Sequence, residues 1–142
     1  MKQAAYMGFK GLAWIIFVVV LVQFFFAGIG AFGEEIWGDS AFNPHRIAGL
    51  LLVPTSLLLL ILAGVSALTG GVRGRVAGMA ALLFVLMIVQ VALVIAFYRA
   101  SDVPILAALH PVNALILLGL SFGIARGRRS RPAGQAATSR VQ

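Results

Sequence analysis

Cysteine is absent, and only four of the 142 residues are acidic. Without thiols the chain has no disulfide framework and no thiolate metal site, and so few carboxylates leave little for the paired acid–base chemistry of most hydrolases. Charge of any sign is scarce at 11%, against about 25% in soluble domains. Apolar residues reach 61% and the mean hydropathy is +1.04, more than a soluble 15.0 kDa fold can hide. The composition describes an integral membrane protein. A net charge of +7 would suit a nucleic-acid binder, but in so apolar a chain the basic residues read as topology signals, and nucleic acid is not an expected partner.

Four apolar runs follow one another: Gly11 to Phe32, Ile47 to Leu68, Val76 to Phe97 and Val103 to Ala125, of 22, 22, 22 and 23 residues. About 20 residues at 1.5 Å each cross a hydrocarbon core of roughly 30 Å. Their Ala, Leu and Gly content favours helices, and the strands of a membrane barrel would alternate polar with apolar positions. The fold expected is all-α, a four-helix transmembrane bundle over residues 1–129 with helices at about 11–33, 44–69, 75–99 and 103–126. A disordered basic tail over 130–142 follows from its Pro, Gly, Ala and Ser content.

The charges sort by side. Lys2, Lys10, Arg73, Arg75, Arg126, Arg128, Arg129, Arg131 and Arg140 share one side, whereas all four acids, Glu34, Glu35, Asp39 and Asp102, share the other with only Arg46 and Arg99. The positive-inside rule makes both termini cytoplasmic and the protein a multi-pass resident of the cytoplasmic membrane. The first run is too long for a signal-peptide core of roughly 7–15 residues, so it counts as a helix. Trp14 and Trp37 suit the two interfaces. Gly74 with Gly78 and Gly119 with Gly123 form GxxxG pairs that support helix packing.

Two histidines stand in similar contexts. Asn43-Pro44-His45-Arg46 opens the second helix, with Asn43 expected as N-cap and Pro44 at the first helical position. Leu109-His110-Pro111-Val112-Asn113 lies near the outer end of the fourth. Both helices run from outside to inside, so both imidazoles fall on the outer side. Two histidines make a poor zinc site, which wants three or four protein ligands. A porphyrin supplies four equatorial nitrogens of its own, so a b-type haem held axially by His45 and His110 is the economical metal reading, and the lack of Cys-x-x-Cys-His excludes covalent attachment. Arg46 and Arg99 are then candidates for the haem propionates, or alternatively pair with the outer acids. Gln23 and Gln90 sit at comparable depth in the first and third helices, where a hydrogen bond between them is the expectation and a cofactor contact the alternative. Phe24, Phe25 and Phe26 either wall a porphyrin or pack. Asn113, three residues past His110, either orients that ring or bonds across to another helix. Pro54 and Pro111 free the carbonyls of Leu50 and Ala107 and should kink their helices.

One spacing opposes the pairing. His45 precedes its apolar run by two residues and His110 follows the start of its own by seven, a stagger of nine residues, or roughly 13 Å of depth in straight parallel helices. The expectation is that Pro111 starts the membrane-normal part of the last helix; a helix running straight from Val103 would weaken the bis-histidine reading.

Val22-Gln23-Phe24 with Ala27-Gly28, Pro44-His45-Arg46 with Gly49, Gln90, and Leu109-His110-Pro111-Val112-Asn113-Ala114 together resemble a domain-of-unknown-function family of small four-helix prokaryotic membrane proteins, over about residues 10 to 125. More distantly they resemble one four-helix half of haem A synthase. That likeness implies haem ligation on the outer side by His45, followed by arginine as in His45-Arg46, and by His110. The catalytic carboxylate of that enzyme has no counterpart, the nearest acids, Asp39 and Glu35, lying six and ten residues before His45, so haem A synthesis is not implied. The leading expectation is a membrane haem b protein in electron transfer or haem handling, with the lipid bilayer and a redox partner or a second copy of the chain as partners. The competing class is a cofactor-free accessory or scaffold subunit.

Overall fold

The computed structural model describes residues 2–99 and 104–127. Four long helices, α1 (Lys2–Phe32), α3 (Asn43–Leu68), α4 (Gly74–Arg99) and α5 (Pro104–Arg126), are joined by a four-residue helix α2 (Glu34–Trp37) with a 3₁₀ turn (Gly38–Ser40), and by a turn at Gly70 with φ of 76°. Each of the four is long and apolar enough to cross a bilayer. Their outward faces carry large apolar side chains, Leu50, Leu51, Ile61 and Leu115 each being more than half exposed, as lipid contact requires. The expected tail at 130–142 lies outside the described residues.

Helix α1 packs against α3 and α5, and α4 packs against the same two, so α1 faces α4 and α3 faces α5 across the bundle. The buried side chains recur at alternating steps of three and four: Phe9, Ala13, Ile16 and Val20 in α1; Leu52, Ser56, Leu59, Ala63 and Ser66 in α3; Ala80, Leu83 and Met87 in α4; Leu117, Ser121 and Ile124 in α5. This is the knobs-into-holes seam of a left-handed bundle. Serine and alanine at these positions let the helices approach closely where lipid supplies no hydrophobic drive for association.

Helix boundaries depart from the sequence expectations in three places. α1 begins at Lys2, nine residues before its apolar run. Asn43 does not cap α3: it is the first helical residue, preceded by Phe42, no side chain caps the end, and the Arg46 N–H donates to the Phe42 carbonyl. α5 is continuous from Pro104, with Pro111 inside it. The GxxxG pairs also divide. A Cβ at Gly123 would meet Met79 at 3.1 Å, whereas at Gly74, Gly78 and Gly119 it would meet nothing within 4 Å, so those three glycines do not serve packing inside the chain.

At the end formed by the α3–α4 turn α1 and α5 are tied together. Lys10 of α1 donates through Nζ to the carbonyls of Ala125 and Gly127, the latter at 2.9 Å, and so satisfies carbonyls that the end of α5 leaves open. Trp14, Phe17 and Phe122 meet ring to ring beside it, with the Arg126 guanidinium 5.2 Å from the Phe122 ring centre. Lys10→Met should lower unfolding stability in detergent by on the order of 1–3 kcal/mol, while the exposed Arg75→Met leaves it nearly unchanged; a denaturant titration of the two variants against the parent measures the difference.

Candidate cofactor cavity

Beyond a layer of Val20, Leu52, Met87 and Leu117 the packed core gives way to a cavity of about 590 Å³, floored by these four residues. The volume lies within the roughly 300–1,000 Å³ common for cofactor and ligand pockets. Continuing the same steps of three and four along the seams gives two further layers, Gln23, Gly49, Gln90 and Ala114, then Ala27, His45, Val94 and His110. All eight residues line the cavity. Each layer sets its two polar side chains on diagonal helices, with small or aliphatic residues on the other diagonal.

The imidazoles therefore meet. The ring centres of His45 and His110 lie 6.2 Å apart with their planes at 67°. The expected 13 Å stagger does not arise, although α5 is continuous through Pro111. Because Asn43 and Pro44 are already helical, His45 is two residues into α3 and His110 six into α5, a difference of four residues or about 6 Å of rise. The apolar run was a poor marker of where α3 begins.

The glutamines do not bond each other. Gln23 Nε2 donates to the backbone carbonyl of His45 at 3.1 Å, and Gln90 Nε2 donates to that of His110 at 3.1 Å. Two helical hairpins, α1 with α3 and α4 with α5, thus repeat one arrangement, a glutamine on the first helix holding the histidine end of the second. Gly49 makes room for it in the first hairpin, since a Cβ there would sit 3.0 Å from Gln23 Nε2. Asn113 bonds across to α4, donating to the Leu86 carbonyl at 3.0 Å and to Gln90 Oε1 at 2.6 Å, and Gln90 Nε2 lies 3.1 Å from His110 Nε2. His45 Nδ1 lies 3.1 Å from the Gln23 carbonyl. Two buried polar atoms here have no partner, Gln23 Oε1 and His110 Nδ1.

Of the candidate anion partners, Arg46 lines the cavity, and the side chain of Arg99 lies outside the described residues. Phe24 lines the cavity as well, whereas Phe25 and Phe26 lean on each other, ring centres 6.1 Å apart. Phe42 stands edge-on to His45 at 6.4 Å and fills the space a side chain at Gly30 would occupy.

Among the described residues no cluster of three or more His, Cys, Asp or Glu forms. A planar macrocycle that brings its own equatorial nitrogens asks only for two further donors, and the cavity wall carries two imidazoles of that type. Two imidazoles bound to one metal from opposite sides at about 2.0–2.1 Å hold their ring centres roughly 6 Å apart, close to the 6.2 Å found. Gly49, Ala27 and Ala114 keep the surrounding faces low.

The hydrogen bonds predict unequal glutamines. Gln90 makes three to side chains and backbone of α5, and Gln23 one, with its oxygen orphaned. At roughly 0.6 kcal/mol per interhelical bond, Gln90→Leu should cost the ligand-free protein about 2 kcal/mol and Gln23→Leu close to nothing. Equal losses in thermal unfolding of the two variants would contradict this.

A family model matches residues 23–97, which is 75 of the 142 residues, from Gln23 through His45 and Gln90 to Phe97 in the last turn of α4. The matched stretch is narrower than the 10 to 125 expected and stops short of the His110 motif. No curated protein and no solved structure matches the chain, so the likeness to haem A synthase finds no support in these comparisons. With more than half of its length matched, the chain belongs to the family of unknown function DUF6220.

Proposed function

We propose that the protein is a b-type haem protein of the cytoplasmic membrane, His45 and His110 serving as axial ligands near the outer leaflet, and that it acts in electron transfer or haem handling. The observation that carries the reading is the 6.2 Å approach of two imidazoles from diagonal helices inside one 590 Å³ cavity. Bound there, haem would supply a one-electron couple, and two histidine ligands favour electron transfer over oxygen activation. The chain's own part is to hold the rings. Gln23 and Gln90 tie the two histidine carbonyls to α1 and α4, and Arg46 brings a cation to the cavity wall where carboxylates of a cofactor need one. Arg99 is proposed for the same role. The low walls at Gly49 and Ala114 leave the space between the rings to the ligand.

The cation-rich side, with Arg73 and Arg75 in the α3–α4 turn, is assigned to the cytoplasm together with both termini. A second reading, a cofactor-free scaffold subunit, draws on one observation: the Asn113–Gln90–His110 hydrogen bonds already employ His110 Nε2 and would fix helix register without any ligand.

Protein purified from haem-supplied cells should show a Soret band and sharp reduced α and β bands, lost in His45→Ala; colourless parent protein would leave the scaffold reading. Topology is separately testable, since the chain lacks cysteine. Ser40→Cys should react with an impermeant maleimide in intact bacterial cells and Gly74→Cys only after the membrane is opened, and the reverse pattern would invert the assignment.

A further inference from the structure

The two hairpins differ at one position that bears on their histidines. Three residues after His110 stands Asn113, 7% exposed; three residues after His45 stands Ala48. Both amide hydrogens of Asn113 are used, one on the Leu86 carbonyl and one on Gln90 Oε1. That fixes the Gln90 oxygen toward Asn113 and turns its NH₂ toward His110. An amide nitrogen donates and does not accept, so His110 Nε2 is the acceptor, its lone pair is engaged, and its ring proton sits on the partnerless Nδ1.

His45 carries its ring proton on the same nitrogen, but the partners of the two ring nitrogens differ. The atom facing its Nδ1 is a backbone carbonyl, which can only accept, so Nδ1 carries the proton and Nε2 holds a free lone pair. Among the described residues nothing is hydrogen-bonded to that Nε2. One ring N–H on a carbonyl with the other nitrogen free is how metal-ligating histidines are held.

We propose that the two histidines are inequivalent: His45 is the standing axial ligand, and Gln90, oriented by Asn113, competes for His110 Nε2, so that His110 is an exchangeable ligand and the coordination position opposite His45 can open. This rests on the haem reading given above. The exchange moves neither proton nor electron; the hydrogen bond from Gln90 to Nε2 breaks as Nε2 bonds the metal, and re-forms as that bond breaks. Gln90 and Asn113 are positioning residues, acting through His110.

Haemin titration of the full chain in detergent micelles, followed by visible and electron paramagnetic resonance spectra, tests this, with far-UV circular dichroism reporting folding. His45→Ala should weaken haemin binding about 100-fold or more, whereas His110→Ala should stay within about 10-fold of the parent and be wholly high-spin. The parent should be a mixture of high-spin and low-spin forms, and Gln90→Leu and Asn113→Ala, which keep both histidines, should move it toward low-spin. Equal losses in the two histidine variants, or an unmoved spin state in both Gln90→Leu and Asn113→Ala, would overturn the inequivalence and leave haem binding standing. If a histidine variant does not fold, the spin shift in the other two decides. A parent protein that binds no haemin would instead overturn the haem reading itself.

Discussion

A polar group inside a bilayer has no water to turn to, and this constraint organises the whole bundle. Four uncharged polar side chains, Gln23, His45, Gln90 and His110, are set into largely apolar helices, and each lines the cavity along the seam on which the core is built. Exposure to lipid would leave amide and imidazole groups unpaired at a cost of several kcal/mol each. Their inward placement fixes the rotation of every helix about its axis, and with it the layers that follow. The same rotation sends Leu50, Ile61 and Leu115 outward to lipid.

The cavity follows from that placement together with small residues. A bundle fills its interior by pairing large with small across each layer, as Ile16 and Leu83 do with Ser56 and Ser121, and Leu59 and Ile124 with Ala13 and Ala80, nearer the α3–α4 turn. In the histidine half the small residues remain, at Gly49, Ala27 and Ala114, but the large partners are polar groups held back by hydrogen bonds to neighbouring helices. Gln23 and Gln90 are drawn toward the helix backbones and not toward each other, so the centre stays empty. Space and imidazole nitrogen atoms therefore arise from one arrangement, repeated in two hairpins. Where the hairpins differ, at Ala48 and Asn113, the two imidazoles acquire different hydrogen-bond states.

Much of the candidate site could be read before the fold was known. His45 and His110 could be placed at one end by counting crossings, and Arg46 falls beside the first of them. The partner of each glutamine could not be read, because a buried amide in a helix accepts any neighbour within reach and the choice depends on which helix stands beside it. Asn113 was visible as a same-face neighbour of His110, yet it acts through Gln90 of the adjoining helix. The steps of three and four joining Gln23 to Val20 and His45 to Gly49 and Leu52 were present in the chain, but lipid-facing positions are as apolar as core positions, so hydrophobicity alone does not show the seam.

By itself the sequence determined an all-helical chain with four segments able to cross a membrane, since length and apolarity suffice for that. It also determined which residues carry hydrogen-bonding and ligating atoms. Only the tertiary structure decided that α3 faces α5 diagonally, that helix starts at Asn43 and Pro104 cancel most of the apparent stagger, and that two imidazoles 65 positions apart come within 6.2 Å. Depth in a bundle is set by where helices start and how they pack against neighbours, and neither quantity is local to the residues that meet.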